Sequence, residues 1–153
     1  MFNKLIIAIV KTLIVIFGWE SRGKSSAIKA IARRWGIKVA DECWDVDDSK
    51  DDVGFVGEGD PGSDQKDKIE AHIKNGCKVI VCASRTRGGT TDNISNLAAQ
   101  YGYRVIWTSN YSVDQGSLKP LGFNTDVIEE QCRQKNDLFA DAMMVLIHRA
   151  LTD

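Results

Sequence analysis

The sequence predicts an α/β fold: a three-layer α/β/α sandwich built on a mostly parallel five-stranded sheet. Three observations carry this expectation. Apolar, strand-like runs alternate with segments of helical spacing along most of the chain. The run Cys77 to Ser84 is almost continuously apolar, as a parallel strand buried on both faces requires. The chain has 153 residues, 43% hydrophobic and 27% charged, which is ordinary for one globular domain spanning residues 1–153.

The elements follow in order. A short leading element covers Phe2 to Val10, and a buried strand covers Thr12 to Phe17. In the next segment Ala27, Ile28, Ile31 and Trp35 recur at spacings of one, three and four, one face of a helix that Gly36 ends. Residues 37–47 read as a second strand with a polar exit. Residues 52–62 read as a short third strand ending in a turn at Asp60-Pro61-Gly62. Ser63 or Asp64 caps a helix that runs to about Asn75 and stops at Gly76. After the strand at 77–84, Thr91 or Asp92 caps a helix ending near Gly102. Residues 103–109 form the fifth strand. A polar stretch, 110–124, reads as a crossover or a lid, and a last helix runs from about Thr125 to Leu151. There is no internal repeat, low-complexity tract or domain linker.

Charge and composition narrow the function classes. A net charge of −1 argues against a general nucleic-acid binder. Cys43, Cys77, Cys82 and Cys132 form no CxxC pair and read as free thiols in a reducing compartment. His72 and His148 have no ligand spacing to these cysteines and read as helix-surface residues. Lys11 divides the apolar N-terminal stretch into two runs too short to span a bilayer, and no small-residue cleavage site follows. The expectation is a cytoplasmic protein without a membrane partner.

Gly18-Trp19-Glu20-Ser21-Arg22-Gly23-Lys24-Ser25 fits G-x-x-x-x-G-K-[ST], between a predicted strand and a predicted helix. Each part has a physical purpose. Glycines let successive N–H groups point at phosphate oxygens. The new helix adds unpaired donors and the positive end of its dipole. A lysine supplies a point charge, and a serine hydroxyl suits Mg²⁺, which prefers oxygen ligands. The segment resembles the Walker A loop of P-loop nucleoside triphosphatases and small nucleotide or small-molecule kinases. The motif covers eight residues, and the alternating architecture extends the likeness over most of the chain. The resemblance implies that Gly18, Gly23, Lys24, Ser25 and Ser26 contact phosphate and Mg²⁺, with Trp19, Glu20, Ser21 and Arg22 completing the loop. It implies ATP or GTP and Mg²⁺ as cofactors.

Parallel sheets bind ligands beyond the carboxyl ends of their strands, so polar clusters at those ends share a rim with the loop. Asp45, Asp47 and Asp48 follow the predicted second strand. They read either as metal- or acceptor-directed carboxylates or as a solvated acidic turn, with Asp51 and Asp52 nearby. Glu58-Gly59-Asp60 follows the third strand. Asp60 reads as a second metal-directed group beside Ser25, or as a turn residue before Pro61. Arg85 and Arg87 follow the fourth strand, where arginine forks suit phosphate oxygens. That strand ends in Ala-Ser-Arg and not in an acid. If it lies beside the loop strand, this departs from the family pattern and bears on hydrolysis. Trp19, Trp44 and Trp107 stand near strand ends as base-stacking or packing residues.

The expected activity is phosphoryl transfer from a nucleoside triphosphate to an unknown small-molecule or nucleotide acceptor. Lys24, Mg²⁺ and Arg85 or Arg87 would offset charge, and Asp45 or Asp60 would orient the acceptor. No N-K-x-D guanine-reading motif is present; "TSNY" at 108–111 lacks the Lys and Asp. The alternative is a nucleotide-dependent regulatory protein with little or no turnover. In that case the last helix, with an apolar face at Val127, Ile128, Cys132, Leu138 and Phe139, either mediates assembly or packs on its own sheet.

Overall fold

The computed structural model describes residues 10–17, 24–40, 45–57, 64–84, 89–108 and 125–153. They form an α/β unit with five strands and four helices. In chain order these are β1 (Lys11–Phe17), α1 (Lys24–Trp35), β2 (Asp47–Lys50), β3 (Val53–Val56), α2 (Gln65–Lys74), β4 (Val79–Ser84), α3 (Gly89–Tyr101), β5 (Tyr103–Thr108) and α4 (Thr125–Thr152). The sheet order is β2-β3-β4-β1-β5. Strands β3, β4, β1 and β5 are mutually parallel, and β2 alone is antiparallel.

Strand β1 lies inside the sheet, between β4 and β5, and is apolar on both sides. Leu13, Ile14, Val15 and Ile16 are all fully buried. Alternate residues of a strand face opposite sides of the sheet, so β1 feeds two cores. Ile14 and Ile16 pack with Ile28 and Ile31 of α1 and with Met143 and Ile147 of α4. Leu13 and Val15 pack with Ile69 of α2 and with Ile94 and Leu97 of α3. Helices therefore cover both faces. Burying each such side chain is worth about 1.5–3 kcal/mol relative to exposure.

Helix α1 ends as its sequence predicts. Gly36 takes φ of 100°, its N–H donates to the Arg33 carbonyl, and the Ile37 N–H reaches the Ala32 carbonyl. This is a Schellman closure, and Ile37 then packs back into the core. Gly76 closes α2 in the same way, through Ile73 and His72.

The predicted strand over 37–47 is corrected. Residues 37–40 and 45–46 carry no strand. Ile37 and Val39 pack against α1, and the Arg33 guanidinium donates two hydrogen bonds to the Val39 carbonyl, at 3.2 and 3.0 Å. A side chain thus satisfies backbone that a strand neighbour would otherwise pair. The actual strand β2 is four exposed polar residues, invisible to a search for apolar alternation. A two-residue turn joins it to β3, with Asp51 and Asp52 at φ of 52° and 65°, the left-handed pair a tight hairpin needs.

Three further expectations are corrected. Thr91 and Asp92 do not cap α3 but lie in its first turns, because the helix starts at Gly89. His72 is no surface residue. It is only 7% exposed, because α2 lays its ring over β3 at Gly54. Leu138 does not face the core. The buried face of α4 is Ala140, Met143, Ile147 and Ala150, and Leu138 lies opposite it, 70% exposed. Phe139 does pack against the core; the side chains of Val127, Ile128 and Cys132 lie outside the described residues. His148 is exposed as expected, its ring 5.2 Å from that of Trp35. No helix among the described residues is long and apolar enough to cross a membrane.

Two outcomes follow from this packing. A Cβ at position 54 would sit 3.0 Å from His72 Cγ, so Gly54→Ala should destabilise the fold by about 1–3 kcal/mol, read as a lower urea midpoint. The buried Tyr103 hydroxyl donates to the Cys77 carbonyl at 2.5 Å, and burial pushes its pKa from 10.0 up to about 12. The unfolded phenol ionises first, so this contribution is complete below pH 10 and is lost as pH rises through about 12. Urea midpoints across that range should fall less steeply for Tyr103→Phe than for the wild type.

Candidate functional site

The sheet topology itself singles out one place on the rim. The connection from β1 to β3 moves one way across the sheet, and those from β3 to β4 and β4 to β5 move the other way. Right-handed crossovers then put α1 on one face and α2 and α3 on the other. β1 and β4 are neighbours whose carboxyl ends are level, with Phe17 in register with Ser84. The chain leaves β1 toward one face and β4 toward the other. Such a divergence opens a crevice at the carboxyl edge, the usual ligand position in open α/β sheets.

Helix α1 begins at Lys24, after the segment that leaves β1. Its first turn carries no acidic residue, whereas α2 has Asp67 and α3 has Asp92 there. The positive end of the α1 dipole is therefore not offset by a carboxylate in its own first turn, which favours an external anion. Ser26 is exposed in this turn. Lys24 and Ser25 are placed by their backbone alone. Gly18, Trp19, Glu20, Ser21, Arg22 and Gly23 lie outside the described residues.

β4, the strand beside β1 on this rim, ends in Ser84. Ser84 is fully buried, and its hydroxyl lies 3.4 Å from that of Thr91 in α3. The carbonyl of Ala83 accepts a hydrogen bond from the buried Gln65 side chain. The last residue of β4 is thus uncharged, and the strand end is contacted by α2, which precedes it, and by α3, which follows it. The condition raised by the sequence is met: β4 lies beside β1 and its last residue is not an acid. Arg85 and Arg87, which follow, lie outside the described residues, as do Glu58, Gly59 and Asp60 beyond β3.

Asp45 reaches the same rim by an unexpected route. It does not follow a parallel strand; it precedes β2. Because β2 runs antiparallel, its start lies at the carboxyl end of β3, where the Gly57 N–H donates to the Val46 carbonyl at 2.7 Å. Adjacent strands lie about 4.8 Å apart, so β3 stands roughly 10 Å from β1. The other acids do not gather with it. Asp47 Oδ1 lies 2.8 Å from His72 Nε2, and Asp48 Oδ1 accepts the Ser49 N–H. Asp51 and Asp52 sit in the hairpin turn, at the opposite end of β2 and β3. Sequence reasoning missed the His72–Asp47 contact. The available signal was Gly54, a glycine inside an apolar strand that marks a close approach.

Trp107, 41% exposed, stands on β5 in register with Val15; Trp19 and Trp44 lie outside the described residues. Cys77 and Cys82 are buried free thiols. Burial raises the pKa of both, that of Cys82 to about 12, so neither is a nucleophile at neutral pH. Cys43 and the side chain of Cys132 lie outside the described residues. Comparison with known proteins finds no matching family model, curated protein or solved structure.

Proposed function

We propose that this chain is a P-loop protein that binds a nucleoside triphosphate, ATP or GTP, together with Mg²⁺. One observation carries the reading. The sequence G-x-x-x-x-G-K-S joins the carboxyl end of the interior strand β1 to the start of α1, at the point where neighbouring connections diverge. The acid-free first turn of α1 supports it.

In this reading Gly18 to Gly23 and the first amides of α1 cradle the phosphates. Lys24 adds an ammonium, and Ser25 gives Mg²⁺ an oxygen, with Asp60 as the second metal-directed group. The chemistry is in-line transfer of the terminal phosphoryl group to a small-molecule or nucleotide acceptor. Arg85 or Arg87 offsets the charge that spreads over the transferred group. Asp45 orients the acceptor, a role that suits a carboxylate about two strand spacings from β1 better than direct contact with a metal at Ser25.

A second reading, nucleotide-dependent binding with little turnover, draws on Ser84. The strand end beside the loop offers a buried hydroxyl where hydrolysing relatives of this motif place an acid. The two readings part on stimulation by an acceptor. A transferase consumes triphosphate much faster with one member of a panel of nucleosides, nucleotides and small alcohols. A binder holds nucleotide with no such stimulation.

Titration calorimetry with Mg·ATP and Mg·GTP should show binding that Lys24→Ala abolishes; binding unchanged in that variant removes the loop as the site. If an acceptor stimulates turnover, Arg85→Ala or Arg87→Ala should lower kcat about a hundredfold with little change in affinity, measured by coupled assay of nucleotide release.

A further inference from the structure

The start of β2 is held from both sides of the sheet. Val46 is buried in the core that α1 and α4 cover, and its carbonyl accepts the Gly57 N–H at 2.7 Å. Asp47, the next residue, is met from the other side, where its Oδ1 lies 2.8 Å from His72 Nε2 of α2. An ionised carboxylate only accepts, so Nε2 carries the hydrogen and donates it. Ile69 and Ile73 bury α2 in the second core and so hold the ring in place. The His72 side chain is 9% exposed and that of Asp47 41%, so the contact ties an exposed edge strand to a buried post. The other ring nitrogen, Nδ1, is buried with no hydrogen-bond partner among the described residues. A leucine of similar volume would fill the space over Gly54 without leaving a buried polar atom unmatched, so packing alone does not explain a histidine here. Asp45 stands two residues before Asp47, and its carboxylate rests against the end of β3: a Cβ on Gly57 would lie 3.4 Å from Asp45 Oδ1.

We propose that His72 is a positioning residue for Asp45. By holding the Asp47 carboxylate it fixes the rim end of β2, and with it the place from which Asp45 meets the acceptor. This role rests on the reading of Asp45 as the group that orients the acceptor. The opposite end of β2 has its own fastening: Trp35 Nε1–H donates to the Lys50 carbonyl at 2.9 Å, beside the hairpin turn. Loss of the His72 contact therefore frees the strand at Asp45 while the turn stays held. The start of α1 follows β1, about two strand spacings away from β3, so triphosphate binding there does not depend on the contact.

Hydrogen exchange of the full chain, read beside steady-state kinetics with the most stimulating member of the panel of nucleosides, nucleotides and small alcohols, tests this. Asp47→Ala changes an exposed side chain and should stay folded. In it, exchange of the Gly57 amide should rise about tenfold while the amides of β1 and β4 keep their rates. Acceptor kcat/KM should fall about tenfold, with Mg·ATP affinity by calorimetry within about twofold of wild type. His72→Leu, which keeps the packing but cannot donate, should behave like Asp47→Ala even where its urea midpoint equals or exceeds that of the wild type. His72→Gln, whose amide nitrogen stands as many bonds from Cβ as Nε2, should hold exchange and acceptor kcat/KM within about threefold of wild type. Unchanged exchange at Gly57 in Asp47→Ala overturns the proposal, as does an acceptor kcat/KM that follows the unfolding midpoint and not the hydrogen bond. Asp45→Asn tests the reading beneath it. If acceptor kcat/KM survives that change, or no panel member stimulates turnover, the acceptor assignment of Asp45 falls and the role of His72 falls with it. A loss in Asp45→Asn that Asp47→Ala does not share overturns the role of His72 alone.

Discussion

The fold rests on the two-sided burial of β1. Four consecutive apolar residues leave that strand nowhere to go except the middle of a covered sheet. Once it is central, it needs a parallel neighbour on each side and a helical layer on each face. The right-handed crossover rule then fixes which helix covers which face. The divergence of the connections after β1 and β4 is a by-product of that packing. The position of the candidate site is therefore set by the apolar core before any polar residue contributes to it.

Much of this was legible in the sequence because the core elements have strong periodic signals. β1, β4 and β5 are read from their apolar runs, and α1 and α2 from helical spacing closed by Gly36 and Gly76. What was not legible has a common physical cause: long-range contacts decided it. The segment after α1 has strand-like composition, but Arg33 captures its backbone. β2 has no apolar alternation because both its faces meet water. His72 is buried beside Gly54, the second residue of β3, where a glycine leaves space for the ring. The orientation of α4 turned on the choice between two apolar stripes, and one sequence cannot say which of them meets the sheet. Of the site itself, the motif and its place between β1 and α1 were legible, whereas the route by which Asp45 reaches the rim depended on an antiparallel strand that left no apolar trace.

The rim carries an uneven distribution of charge. The start of α1 has no acid in its first turn, and the neighbouring end of β4 is a buried hydroxyl. Asp45 stands on the outer side of this neutral stretch, beyond β4 and alongside the end of β3. A polyanion seated against α1 would meet little repulsion from the described strand ends beside it. Among the described residues, the end of β4, the strand beside β1, carries no carboxylate.

The strand β2 that follows Asp45 buries little surface against the body. β2 has four exposed residues, an edge position, and fastenings to neighbouring elements at His72 with Asp47 and at Trp35 with the Lys50 carbonyl. Strands with so little buried area open locally at far lower free energy than the central ones. Asp45, which precedes β2 at the carboxyl rim, therefore rides on an edge of the sheet. Its reach would be gated by the breathing of that margin, while the start of α1 follows an interior strand with a fully buried apolar run.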